Sequence, residues 1–144
     1  MELTIIDSGT GENSRFTNER VADFLFKHLE QYGDPLTDIL KCIGYVFERG
    51  GFITVGHEGD AIKGVVIINE TGMSGYIPEN ILVYIAVDAS TRGKGYGRKL
   101  MEKVIDRAEG DIALHVEPEN PAKYLYENLG FTNKYLEMRY KKNM

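Results

Sequence analysis

The chain is predicted to fold as a single α/β (α+β) domain over residues 1–144, with a central mixed β-sheet of about six to seven strands and about four flanking helices. Its 144 residues suit one domain with a sizeable core, and a composition of 42% hydrophobic and 27% charged residues is ordinary for globular proteins. The hydrophobic period is helical before Gly50-Gly51 and strand-like after it. Hairpin and strand–helix–strand units then occur together, which is typical of a mixed sheet.

The N-terminal part is predicted to contain one short strand followed by two helices. Leu3–Ile6 is apolar and has the length of a strand, and Thr17 belongs to the residue types that cap helices. Asp34-Pro35 combines an N-cap residue with the residue favoured at the first helical position. The two helices should therefore begin near Thr17 and Asp34, and each should end at a glycine.

The C-terminal part is predicted to alternate strands and helices. A hairpin is expected at Glu58-Gly59-Asp60, because these turn residues separate two strand-like runs. The helices that follow should act as crossover connections between strands. The predicted elements are strands 52–57, 61–69 and 80–87, helix 95–109, strand 112–116, helix 122–128 and a last strand at 135–140.

Composition argues against several functional classes. The net charge is −5, the pI is about 5.2 and no block of Lys and Arg is present, so no nucleic-acid partner is expected. No apolar run approaches the length of a membrane span, and the N-terminus lacks the features of a signal peptide. One cysteine and three scattered histidines predict no disulfide, no metal site and a cytoplasmic location. Cys42, beside the apolar stripe of the second helix, should be a buried, inert thiol rather than an acyl carrier.

The most informative segment is residues 87–100, between the predicted central strand and a predicted helix. It holds three glycines at alternate positions (Gly93, Gly95 and Gly97) and four basic residues. Glycines let the backbone approach a ligand closely, and the free N–H groups and the dipole of a helix N-terminus attract anions. The segment therefore predicts a site for a phosphate-bearing ligand.

Three other interpretations of this loop fit less well. A purely structural turn needs two glycines and does not explain the four cations beside it. A dinucleotide-binding loop requires G-x-G-x-x-G, and here Arg98 occupies the third glycine position, although Glu117 lies at the separation typical of the acidic residue in such folds. A P-loop is excluded because the pattern G-x-x-x-x-G-K-[ST] is absent.

Residues 92–97, Arg-Gly-Lys-Gly-Tyr-Gly, match the pattern [Q/R]-x-x-G-x-[G/A], and in this the chain resembles the GCN5-related N-acetyltransferase (GNAT) superfamily. Residues 120–131 look like the second segment of that family, with Tyr126-Glu127 before Gly130-Phe131. The resemblance extends over residues 52–140, whereas the two N-terminal helices match the family in position only. It implies a single GNAT-like domain.

The resemblance implies that acetyl-CoA is the co-substrate and that no metal takes part. In this family the arm of CoA pairs with the backbone of the central strand, and N–H groups of the glycine loop hold the pyrophosphate. The N–H of Ile85 or of a neighbour would face the thioester carbonyl as an oxyanion donor. The cofactor-binding residues implied are Ile85, Ala86, Val87, Arg92, Gly93, Lys94, Gly95, Tyr96, Gly97, Arg98 and Asn120.

Tyr126 matches the family tyrosine that gives a proton to the departing CoA thiolate. A phenol with a pKa of about 10 suits this exchange with a thiol of pKa about 8.5. An amine must be neutral to attack, so a general base is also expected. Some family members carry a Glu on the central strand where this chain has Ile81. The base therefore stays open among four residues, Glu79, Tyr84, His115 and Glu117.

The resemblance implies an N-acetyltransferase that moves an acetyl group from acetyl-CoA to a primary amine by direct transfer in a ternary complex. The acceptor would be a small molecule or a peptide, chosen by the two N-terminal helices, the loop of residues 71–79 and the segment after Phe131. Because members of the family are often dimers, a homodimer is one expectation. The alternative is a catalytically silent CoA-binding sensor or an interaction domain on the same fold, which the missing strand Glu favours.

Overall fold

The computed structural model describes residues 1–143, which form two compact units, one of residues 1–114 and one that begins at His115. Each unit is described by itself. The first contains the β-sheet and three α-helices, and the second contains one further α-helix. None of the helices within residues 1–143 combines the length and the apolar character that a bilayer-spanning helix needs.

A five-stranded sheet forms the centre of the first unit, with its strands in sequence order. The first four strands pair antiparallel, and the second and third form the hairpin that residues 58–60 predicted. The fifth strand pairs parallel to the fourth, so the sheet is mixed as expected. The strands are β1 Glu2–Ile6, β2 Gly51–Glu58, β3 Ala61–Glu70, β4 Asn80–Val87 and β5 Ile112–Leu114.

Four α-helices and two short 3-10 turns accompany these strands within residues 1–143. The Thr17 hydroxyl caps the first helix as predicted, because it accepts a hydrogen bond from the Arg20 N–H. The third helix joins β4 to the parallel strand β5 and is the predicted crossover connection. The helices are α1 Asn18–His28, α2 Leu36–Glu48, α3 Tyr96–Arg107 and α4 Ala122–Asn128, and the 3-10 turns are Glu30–Tyr32 and Ala89–Thr91.

Helices cover both faces of the sheet. On one face, α1 and α2 bury apolar side chains such as Val21 and Leu25 against β2, β3 and β4. On the other face, Leu100 of α3 lies over two glycines, and a Cβ at Gly56 or Gly64 would stand 3.3 or 2.5 Å from a Leu100 methyl group. Burial on both faces explains the nearly continuous apolar runs of β2 and β3.

The predicted last strand, residues 135–140, is wrong. Residues 131–143 contain no strand, and Tyr135, Leu136, Met138 and Tyr140 are 78 to 89% exposed. A strand needs a neighbour for its N–H and C=O groups, whereas an alternation of apolar residues gives only a preference for the extended form. The sheet therefore has five strands within residues 1–143 rather than six to seven.

α1 ends at His28, with a 3-10 turn between it and the predicted end at Gly33, and α3 ends at Arg107 rather than at residue 109. Two further element boundaries also differ from the prediction. α2 begins at Leu36, and Asp34 is not its cap, because the Asp34 carboxylate accepts a hydrogen bond from Tyr84 instead. β5 ends at Leu114, two residues before the predicted end, since its pairing with β4 stops at Leu82. Both differences change what lies beside the second half of β4.

In the second unit, α4 begins after Pro121 and its chain direction changes at Gly130, where φ is +103°. The Phe131 N–H donates to the Tyr126 C=O at 3.0 Å, and the rings of these two residues lie 5.9 Å apart between centroids. The hydrogen bond satisfies a carbonyl that the end of the helix would leave unpaired. Gly130 thus stops the helix as the sequence predicted.

Candidate functional site

The two halves of β4 differ in their pairing. Asn80–Leu82 pairs with β3 on one side and with β5 on the other. The second half pairs with β3 alone, because β5 ends at Leu114. Within residues 1–114, the edge of β4 over residues 83–87 therefore has no neighbouring strand, and we call it the free edge.

The pattern of backbone hydrogen bonds between β3 and β4 shows which residues of β4 point their N–H and C=O groups to the free edge. The Asp88 N–H donates to the Lys63 C=O at 2.9 Å, so these two residues form a hydrogen-bonded pair. Such pairs alternate with non-hydrogen-bonded pairs in an antiparallel ladder. Ala86 therefore points its N–H and C=O toward β3, whereas those of Ile85 and Val87 point to the free edge.

A β-bulge at Val83 sets this phase. Tyr84 pairs with Ile67 and Leu82 pairs with Ile68, so Val83 is the extra residue on β4. The bulge shifts the alternation of side chains by one residue. Tyr84 consequently lies on the α1–α2 face, where it joins the core, instead of on the same face as Leu82.

The glycine loop follows the free edge directly along the chain. Gly93 and Gly95 have φ angles of +86° and +78°, in the left-handed region that favours glycine. A Cβ at either position would meet no other atom of residues 1–143 within 4 Å. Glycine is thus required by the backbone angle, and the space beside the loop is open to a ligand.

The N-terminus of α3 presents N–H groups at this loop. The first hydrogen bond of the helix runs from the Lys99 N–H to the Gly95 C=O at 3.1 Å. The N–H groups of residues 96–98 precede that bond, and the N-cap Gly95 offers no side chain to accept from them. Free N–H groups and a helix dipole attract anions, so the phosphate site that the sequence predicted here stays a prediction with suitable backbone groups, and we call this place the candidate anion site.

Basic side chains surround the candidate anion site, and two of them pair with acids. Arg92 lies 3.1 Å from Glu30 and Arg98 lies 3.5 Å from Glu102, and all four side chains are largely exposed. Exposed ion pairs contribute at most about 1 kcal/mol, so a bound phosphate can compete for these cations. The basic residues of the segment are all exposed: Arg92, Lys94, Arg98 and Lys99.

Tyr96 anchors the loop to the end of β2. Its hydroxyl donates a short hydrogen bond to the Glu58 carboxylate. That bond lowers the pKa of Glu58 and raises the pKa of Tyr96. Tyr96 therefore has a structural contact of its own, and its N–H, rather than its side chain, belongs to the candidate anion site.

Tyr84 and Asp34 meet on the α1–α2 face of the sheet, at the residue of β4 that precedes Ile85. The Tyr84 hydroxyl donates to Asp34 Oδ2 at 2.6 Å, and the ring is only 7% exposed, whereas Asp34 is exposed. Burial and the bond to a carboxylate raise the pKa of Tyr84, so the phenol keeps its proton and is a donor rather than a general base. Fifty residues separate the two positions, and no local pattern in the sequence indicates this contact.

Glu79, another candidate base, lies at the far end of β4. Its Oε1 accepts a hydrogen bond from the Asp111 N–H at 3.2 Å. Six residues of strand separate it from Ile85, a span of about 20 Å at 3.3 Å per residue. Glu79 therefore supports the start of β5 and is remote from the free edge.

Cys42 is buried, as the sequence predicted. Its thiol lies 3.5 Å from the Asn69 Oδ1, and burial raises its pKa to about 12. A thiol with such a pKa stays protonated at neutral pH and is a poor nucleophile. The geometry gives no support to an acyl-cysteine route.

The second unit carries the two remaining predicted residues of the site. The Asn120 Oδ1 accepts a hydrogen bond from the Ala122 N–H at 2.9 Å, so its oxygen supports the first turn of α4 and its NH₂ group is left to donate. Tyr126 is 6% exposed, and burial raises its pKa to about 12. Within residues 115–143 its hydroxyl has no hydrogen-bond partner. His115 and Glu117 are both exposed.

A comparison with protein families agrees with this geometry. The family model described as an acetyltransferase (GNAT) domain matches residues 45–133, which is more than half of the chain. The 5-NmdU N-acetyltransferase of Pseudomonas phage PaMx11 is 32% identical over 88 residues. That match spans 60% of this chain and 60% of the phage protein.

Solved structures share the fold at low sequence identity. A probable acetyltransferase has a TM-score of 0.74 and 16% identity, with 100% of this chain and 98% of that chain covered. The aminoglycoside N-acetyltransferase AAC(6')-Iy, in complex with CoA, has a TM-score of 0.70 and 17% identity, with 99% and 95% covered. Both likenesses concern the fold.

Proposed function

Because this chain belongs to the acetyltransferase (GNAT) family, we propose that it moves an acetyl group from acetyl-CoA to a primary amine by direct transfer in a ternary complex. One observation carries the proposal. A strand with a free edge leads directly into a left-handed glycine loop and the N–H groups of a helix N-terminus. CoA consists of an extended chain with amide groups that leads to a pyrophosphate. A free strand edge can pair with the amide groups, and the loop and helix N-terminus that follow it can bind the pyrophosphate.

The backbone groups present fit such a ligand. Ile85 and Val87 each offer an N–H and a C=O on the free edge, where a pantetheine arm can pair as an added strand. Ala86 lies between them, and its N–H and C=O point to β3. Its proposed role is therefore to fix the distance between the free groups of Ile85 and Val87. The N–H groups of residues 93 and 96–98 are directed at the pyrophosphate, and the exposed side chains of Arg92, Lys94 and Arg98 add positive charge.

The chemical step needs an oxyanion donor and a proton for the leaving group. The ammonium form of the acceptor first loses one proton to solvent. The neutral nitrogen then forms a bond to the thioester carbon, the carbon–sulfur bond breaks, and a second proton from the nitrogen replaces the one that the thiolate takes up, so that the products are an amide and CoA thiol. The Ile85 N–H stabilises the charge on the carbonyl oxygen. Bound acetyl-CoA supplies the activated acetyl group.

Tyr126 is the proposed proton donor to the CoA thiolate, and Asn120 the proposed partner of the CoA arm. A pKa of about 12 keeps the Tyr126 phenol protonated at all physiological pH values. The same high pKa makes full transfer to a thiolate uphill, so a hydrogen bond that strengthens as charge develops is the main contribution. A Lys-like amine is neutral in only about one molecule in 2,500 at pH 7, so a base, or a chain of water molecules that leads to one, has to remove its proton. We leave the identity of that base unassigned.

The test is turnover by the purified protein with acetyl-CoA and a panel of amines. The panel holds linear amines, lysine, peptides and 5-NmdU, the acceptor in the name of the phage relative. CoA thiol release above the buffer rate, with acetylation at nitrogen seen by mass spectrometry, is the expected result. Saturable binding of acetyl-CoA without turnover of any amine would favour the silent sensor, and absence of binding would favour an interaction domain.

A further inference from the structure

The position of the Asp34–Tyr84 pair suggests a role in choosing the acceptor. Tyr84 immediately precedes Ile85, the residue with the proposed oxyanion N–H, and the two Cα atoms are about 3.8 Å apart, as across any trans peptide. The bulge turns the Tyr84 side chain to the α1–α2 face, where its hydroxyl meets Asp34. A carboxylate from the segment before α2 is thereby held beside the strand on which the thioester is proposed to lie.

Only one oxygen of the Asp34 carboxylate has a hydrogen-bond partner within residues 1–114. Oδ2 accepts the Tyr84 hydroxyl at 2.6 Å, and within residues 1–114 no Lys, Arg or His forms an ion pair with Asp34. The residue is exposed, so Oδ1 is open to a ligand. A carboxylate of this kind, oriented by a buried phenol and without a cation of its own, is suited to bind an ammonium or guanidinium group.

Asp34 can favour binding of a cationic group of the acceptor, but only a group other than the nitrogen that attacks the thioester. A carboxylate beside the attacking nitrogen would stabilise its protonated form and so oppose attack. A carboxylate that holds a second, non-reacting cation carries no such penalty. Resting on the proposed function, we propose that Asp34, positioned by Tyr84, binds a second cationic group of the acceptor, so that the substrates are diamines or amines of similar charge.

The experiment compares two acceptors of equal length, 1,5-diaminopentane and 1-aminohexane, with acetyl-CoA as donor. For the wild type we expect kcat/KM per amino group to be up to about fivefold higher with the diamine, as an exposed ion pair allows. In Asp34→Asn this ratio, counted per amino group because the diamine has two, should fall to about one, through a higher KM for the diamine at unchanged kcat. Tyr84→Phe should lower the ratio partly, and higher salt should lower it in the wild type.

Asp38→Asn is the matched control. Asp38 is an exposed acid in the first turn of α2, four residues after Asp34, and should leave the ratio as in the wild type. If the wild type acetylates both amines equally per amino group, or if Asp34→Asn keeps the preference for the diamine, this inference is wrong while the proposed function stands. If no amine of any kind is acetylated, the proposed function fails and the inference fails with it.

Discussion

Both halves of β4 pair with β3 along one edge. Along the other edge the first half pairs with β5, whereas the second half has no strand beside it within residues 1–114. The amides of Asn80 and Leu82 face β5, and the Asn80 N–H donates to the Asp111 C=O at 3.1 Å. The amides of Ile85 and Val87 face the same edge and have no strand beside them within residues 1–114. Between the halves lies the bulge at Val83.

The difference shows that one strand can be fully paired over one half and leave backbone groups of the other half free. A paired edge satisfies its own backbone groups and contributes to stability, whereas an unpaired edge exposes donors and acceptors that a ligand can use. β5 is only three residues long, and this shortness creates the unpaired half. The proposed site therefore depends on β5 being too short to pair with the second half of β4.

The largest expected effect comes from removing the free-edge N–H that the proposed chemistry uses. Ile85→Pro has no N–H, yet its neighbour β3 loses no hydrogen bond, because that N–H points away from β3. We expect kcat to fall about 100- to 1,000-fold, the usual cost of an oxyanion donor. Steady-state kinetics with a good amine acceptor measure it.

Two further variants test whether the fall in kcat comes from the missing N–H of residue 85 rather than from its side chain or from unfolding. Ile85→Ala keeps the N–H and removes most of the side chain, so kcat should change by less than about tenfold. Ala86→Pro removes an N–H that is bonded to β3 and should lower the thermal unfolding temperature more than Ile85→Pro does. Equal loss of activity in Ile85→Ala and Ile85→Pro would contradict the assignment of the N–H.

The next effect concerns the loop. Gly95→Glu places a side chain and a negative charge in the open space at the N-terminus of α3, so acetyl-CoA should bind about 100-fold more weakly in a calorimetric titration. Gly11→Glu is the control, because Gly11 has a similar φ of +69° and equally open surroundings in the loop after β1. Both should lose about 1 kcal/mol of stability, and only the first should lose binding.

Tyr126→Phe should lower kcat about tenfold and leave the affinity for acetyl-CoA unchanged. The loss is moderate because water can also protonate a thiolate. Since the pKa of Tyr126 is about 12, the wild-type rate should show no falling limb from this phenol between pH 8 and 11, as its protonated form persists there. A rate that drops in this range in the wild type, and not in Tyr126→Phe, would mean that the phenol ionises earlier.

The smallest expected effect lies in the ion pair between Arg92 and Glu30. Glu30→Gln frees Arg92 for the pyrophosphate, so acetyl-CoA should bind about twofold more tightly at low salt and equally at high salt. Glu102→Gln serves as a comparison at Arg98, where the partner lies one helical turn away. A weaker affinity in Glu30→Gln would show that the ion pair holds the loop in its binding form.

The sequence by itself determined the elements whose signals are local. Thr17 caps α1, Gly59-Asp60 forms the hairpin turn, and residues 93–97 form the glycine loop, because capping, turn formation and positive φ depend mainly on neighbouring residues. The same locality explains the error at residues 135–140, where an alternating pattern indicated a strand but pairing requires a partner.

Only the tertiary structure decided which backbone groups stay free and which distant side chains meet. The bulge at Val83 and the end of β5 at Leu114 leave the edge at Ile85 and Val87 open, and they depend on how three strands register with one another. The contact of Asp34 with Tyr84 likewise joins residues 50 positions apart. Register and long-range contact come from the packing of whole elements, and no window of sequence contains that information.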